Sequence, residues 1–221
     1  METKNIIIIA VVVIIIAVIG VVFATGMLNN DNKNTETTPF KTDFMDGSFI
    51  GKVELVNDSE KYMHSYRDDT NKITYNISTV DDSKALMDIY YLQGVMNPEQ
   101  RTFNGQEWNI YFTEAVPDNS TNKTNETMNI VICQAQGEKQ GYLIYIIIDG
   151  DSKVNATLNT YGESYTDFVE PLLKSITLKK SDDVPKIYDE FGLTKDEFDQ
   201  QMELIDQIKA GNSSALQQVA G

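Results

Sequence analysis

Met128-Asn-Ile-Val-Ile-Cys-Gln-Ala-Gln136 and Tyr142-Leu-Ile-Tyr-Ile-Ile-Ile148, joined by Gly137-Glu-Lys-Gln-Gly141, read as a β-hairpin. The run Leu143–Ile148 is apolar at every position, which predicts a central strand covered on both faces. Working outward, Arg101-Thr-Phe103, the pair Asn104-Gly105 and Glu107–Ala115 form a second hairpin signal. Both turn residues accept positive φ, and Trp108, Ile110 and Phe112 share one strand face.

Ser48–Leu55 and Lys72–Val80 alternate apolar and polar residues, as half-buried strands do. Between these strands and the hairpins the period changes from two to about 3.6. Asp81 or Asp82 caps a helix in which Ala85, Leu86, Ile89, Tyr90 and Val95 recur until Asn97-Pro98. A later helix near Tyr165–Leu173 and a strand at Ser175–Lys179 close the domain. Strands outnumber helices and their connections are hairpin-like. The expected class is α+β, a mostly antiparallel sheet with packed helices over residues 44–180.

This element order, ending in Phe168-Val-Glu-Pro-Leu-Leu173 and Ser175-Ile-Thr-Leu178, resembles the PsbP-like family of small extracytoplasmic α/β/α sandwich domains. The resemblance covers about residues 44–180. It implies an extracytoplasmic domain tethered by a lipid or helix, in a family of mostly non-catalytic accessory or binding proteins.

The flanks carry the address. From Ile6 to Ala24 no side chain is charged or hydrogen-bonding, and eight Ile and six Val fill most of the nineteen positions. As a helix these residues would span roughly 28 Å, close to the hydrocarbon thickness of a bilayer, and Thr25–Leu28 complete the crossing. Residues 1–28 are therefore expected to form a short tail and a single transmembrane helix, the membrane being the first partner, through Ile6 to Leu28. The competing reading is a signal peptide cut after Val22-Phe23-Ala24, which would make the protein secreted. Asn29–Thr42 is rich in Asn and Thr, so residues 29–43 read as a flexible linker with a reach of about 20 Å. Orientation rests on sequons: Asn57, Asn76, Asn119, Asn122, Asn125, Asn155 and Asn212 each head an Asn-x-Ser/Thr triplet. Seven sequons exceed the roughly 2.5 expected from composition, which favours the outside face and marks these asparagines as candidate N-glycosylation sites. A plain Asn/Thr bias without glycans stays open.

Glu2 and Lys4 cancel, so residues after the apolar span carry the whole formal charge of −15. Such a surface repels nucleic acid, and no nucleic-acid partner is expected. With one cysteine, Cys133, the fold has to hold by packing alone. Residues 181–221 read as a helical appendage: a linker, a short helix stopped at Gly192, then a helix opened by the Thr194–Glu197 capping box. Phe198, Met202, Ile205 and Ile208 form one stripe on it, for docking on its own domain or on a partner.

No catalytic, cofactor or metal residues are assigned. His64 stands alone, Cys133 sits mid-strand between apolar neighbours, and Asp149-Gly-Asp151-Ser-Lys153 departs from a calcium loop at Lys153 and Thr160, so it reads as a turn. The sequence thus predicts a membrane-anchored, outward-facing, non-catalytic accessory domain with an envelope protein as partner. Two alternatives remain: an envelope hydrolase using Glu107 and Glu114 beside Trp108, or a structural protein oligomerising through the C-terminal stripe.

Overall fold

A computed structural model describes residues 36–60, 62–115 and 127–212. The expected membrane span, the candidate cut at Ala24, most of the tether, and Asn119, Asn122 and Asn125 lie outside the described residues. Among those that are described, no helix is long and apolar enough to cross a membrane.

The class is α+β, and the strand pairings are antiparallel. In chain order come β1 (Thr37–Lys41), β2 (Met45–Ile50), β3 (Glu54–Glu60), β4 (Met63–Asp68) and β5 (Ile73–Val80). Helix α1 (Ser83–Tyr91) leads to β6 (Glu99–Phe103), β7 (Gln106–Ala115), β8 (Met128–Gln136) and β9 (Gly141–Ile148). A π-helical turn (Tyr165–Val169) runs into α2 (Glu170–Ser175), then β10 (Thr177–Leu178), α3 (Ile187–Glu190) and α4 (Lys195–Lys209). Pro171 lacks an N–H, so the chain cannot continue a regular ladder there, and Glu170 N–H reaches back five residues to Tyr165.

The main sheet has the order β3-β4-β5-β9-β8-β7-β6. Two meanders, β3 to β5 and β6 to β9, join where β9 pairs with β5, Ile73 opposite Ile148 and Val80 opposite Gly141. Neighbouring side chains on these central strands point to opposite faces, and both faces are covered. Ile144 and Ile146 pack with Tyr75, Trp108, Phe49 and Leu172 on the first face, under the small sheet β1-β2-β10 and α2. Leu143 packs with Ile130, Ile132 and the helices α1, α3 and α4 on the second. The all-apolar run of β9 is explained by that two-sided burial.

Three sequence expectations are corrected. Part of the stretch read as linker, residues 29–43, is strand: β1 pairs along β2, and Phe40 is 5% exposed and stacks on Phe49 at 4.8 Å. With Phe40 in the first core and the Thr38 hydroxyl bonded to Gly51 and Val53, the domain extends at least to Thr37 rather than beginning near Phe44. The strand expected at Ser48–Leu55 is two strands, because Gly51 adopts φ +89 and turns the chain between sheets. Residues 181–212 are no appendage: Phe198 and Ile205 are 6% and 5% exposed within the second core, and Lys209 pairs with Asp88 of α1 at 2.5 Å. The expected capped helix and the docking of its stripe on its own domain are both present; what changes is the boundary at 181, because residues 181–185 join two parts of one core.

Candidate functional site

The concave feature of interest is a cleft of about 650 Å3 where the β8–β9 turn, the start of α1 and residues 181–186 meet. Its walls are polar. Asp82 Oδ1 accepts the Ala85 N–H at 3.0 Å and caps α1. Asp81 uses one oxygen to accept the Ile187 N–H at 2.8 Å, starting α3, and the other to pair with Lys186 at 3.2 Å. Lys139 and Asp182 face each other at 3.6 Å, well exposed. Asp81, Asp82, Lys139, Asp182 and Lys186 are thus engaged in caps and ion pairs, Lys84 and Glu138 add further charge, and Val184 is the one apolar side chain of the lining.

Below the cleft runs a ladder of side-chain amides built by strand register. Gln100, Asn109 and Gln134 are direct neighbours across β6, β7 and β8. Gln100 donates to Asn109 at 3.2 Å, Asn109 to Gln134 at 2.8 Å, and Gln134 to the Ser83 hydroxyl at 2.9 Å. Ser83 Oγ in turn lies 2.9 Å from the Gln136 Oε1 and 3.0 Å from the Ala135 carbonyl. Gln134 and Ser83 are 1% and 0% exposed, so the bonds these two make satisfy groups that would be costly to bury alone, whereas the Gln100–Asn109 end is exposed. The ladder ties α1 to the sheet through close backbone approach: a Cβ on Gly141 would collide with Ser83 Oγ. Sequence reasoning missed this network because its members are up to 53 residues apart in the chain. The only local trace is the Gln134-Ala-Gln136 alternation on β8.

The residues weighed for chemistry do not converge. Glu107 and Glu114 are exposed on β7 but seven positions apart in a regular strand, so they project from opposite faces about 23 Å apart along it. Glycosidase carboxylates sit within about 10 Å of each other, and this pair cannot share a glycosidic bond. Cys133 is fully buried, and burial pushes its thiol pKa far above the ordinary value, which disfavours the nucleophilic thiolate. His64 lies half-buried in β4 opposite Ile77. Asp149 pairs with Arg67 at 2.5 Å and Asp151 with Lys72, so the stretch read as a turn is held by ion pairs to the β4–β5 end. Among the described residues no group of three His, Cys, Asp or Glu side chains is placed to hold a metal ion.

The sequons divide sharply. Asn155 and Asn212 are exposed and Asn57 is half-buried on the edge strand β3. Asn76, by contrast, is 7% exposed in the middle of β5, where its Oδ1 accepts the Ser65 hydroxyl at 2.7 Å. Among the described candidate glycosylation sites Asn76 thus stands apart: in the folded chain it is enclosed on β5, between β4 and β9.

No known family model matches the chain, and no curated protein matches it. Among solved structures, a protein from Bacteroides thetaiotaomicron VPI-5482 aligns with a TM-score of 0.42 at 4% identity. The alignment covers 62% of this chain and 46% of that protein, so the chain spans about half of its length.

Proposed function

We propose that the protein is a single-pass, outward-facing accessory domain at the cell membrane, non-catalytic, which engages an envelope protein through its folded surface. The observation that carries this reading is the nineteen-residue uncharged span, Ile6–Ala24, ahead of an acidic domain with seven sequons. Filled cores on both sheet faces support it. So does a cleft lined by polar and charged side chains rather than by the apolar and aromatic walls usual for small-ligand pockets. An antiparallel sheet covered on both sides is also in keeping with the PsbP-like resemblance. The hydrolase reading loses its carboxylate pair to the alternation of β7, and the oligomerising stripe is occupied by its own domain. Fractionation tests the proposal: the chain should sediment with membranes, resist salt washing and be released by detergent. Recovery in the soluble fraction without detergent would overturn the anchor.

A further inference from the structure

Asn155 and Asn76 carry the same motif and opposite environments. Asn155 lies exposed in the connection between β9 and the π-helical turn, in a frame fixed at several points. Its carbonyl accepts the Ser164 N–H at 3.2 Å, and Ser152 Oγ donates to the Asn71 carbonyl at 2.5 Å. Across the base of the loop Thr160, 5% exposed, donates to Glu99 at 2.6 Å and accepts from Arg101 at 2.7 Å. Gly162 lies so close to Thr157 that a Cβ there would collide with it. Within this frame the Thr157 hydroxyl donates to Asn155 Oδ1 at 3.3 Å, joining the two functional side chains of the triplet. No described residue accepts a hydrogen bond from the Asn155 Nδ2.

We propose that Asn155 is an N-glycan acceptor, and that Asn76 is excluded by the fold. This rests on the outward orientation proposed above. In the transfer, Asn155 Nδ2 forms a bond to the anomeric carbon of an oligosaccharide carried on a polyprenyl phosphate or pyrophosphate. The anomeric C–O bond to phosphate breaks, the lipid phosphate leaves with that electron pair, and Nδ2 gives up one proton. A glycan at Asn155 extends into solvent without displacing a strand. At Asn76 the side chain is enclosed, so a glycan on its Nδ2 would have to part β5 from its neighbours, and a chain modified there before folding could not close the sheet.

The test is glycopeptide mass spectrometry on the full chain purified from the membranes of its own cells, with Asn155→Gln, Thr157→Ala and Thr157→Ser variants beside it. The peptide holding Asn155 should carry added hexose or hexosamine mass in most copies, and the Asn76 peptide none. Asn155→Gln and Thr157→Ala should lose that mass while Thr157→Ser keeps it, since only the hydroxyl is needed. A bare Asn155, or a glycan on Asn76, overturns the proposal. If Asn119, Asn122 or Asn125 is modified while Asn155 is bare, this inference falls and the outward orientation stands. If all seven are bare, the inference falls, and labelling of surface lysines on intact cells judges the orientation separately.

Discussion

The two faces of the seven-stranded sheet are closed by different means. On the first, a second sheet lies over the strands and the contact is aromatic: Phe49 sits 4.9 Å from Tyr66 and 4.7 Å from Tyr75, ring to ring. On the second, helices from two distant parts of the chain dock over a smaller apolar patch, beside the amide ladder that ties Ser83 to the strands. Sheet-on-sheet contact buries large rings that cannot be lost cheaply, whereas a docked helix can shift to refill a gap. The first face should therefore dominate stability, and the second should be the more forgiving.

The comparison breaks first at high pH, where both faces are challenged together. Burial raises the phenol pKa of Tyr66, Tyr75, Tyr90, Tyr111, Tyr142, Tyr145 and Tyr165. A group with a raised folded pKa contributes fully below the unfolded value, about 10 for tyrosine, and its contribution is lost as pH climbs above that. Phenolate absorbance should then rise cooperatively with loss of the circular dichroism signal above about pH 10. Independent titration near pH 10 with the fold intact would contradict the burial assigned to these rings.

Single substitutions should follow in order of size. Trp108→Ala, in the first core at 1% exposure, is expected to cost about 3–5 kcal/mol in urea denaturation followed by circular dichroism. Ile205→Ala, on α4 in the second core, should cost about 2 kcal/mol, because the helix can settle into the space. If Ile205→Ala costs more than Trp108→Ala, the ranking of the faces is wrong. The smallest effect, about 1 kcal/mol, is expected for Thr194→Ala, which removes the hydroxyl that accepts the Glu197 N–H and leaves the α4 packing untouched.

What the sequence made legible was local. The Asp82 cap, the Asn104-Gly105 turn with φ of +52 and +78, and the Thr194–Glu197 capping box all stand where short-range chemistry puts them. What it hid depends on partners far along the chain. β1 was masked by Asn/Thr composition around the single anchor Phe40, and β4 (MHSYRD) lacks the alternation that marks a strand. The amide ladder exists only once β6, β7 and β8 are in register. The sequons show the same limit: the motif at Asn76 reads like that at Asn155. Ile73, Tyr75 and Ile77 already place Asn76 on the other strand face. Only the structure reveals that this face is covered as well.

The central functional claim is that this filled, acidic domain works outside the membrane. Lys52 and Lys139 have side chains 72% and 73% exposed, which makes them reporters of which side the domain occupies. Intact cells treated with a membrane-impermeant amine reagent, with labelled peptides read by mass spectrometry, give the most direct test. The account predicts modification of Lys52 and Lys139 on intact cells to the extent seen after lysis. Protection of both lysines until the membrane is opened would contradict it.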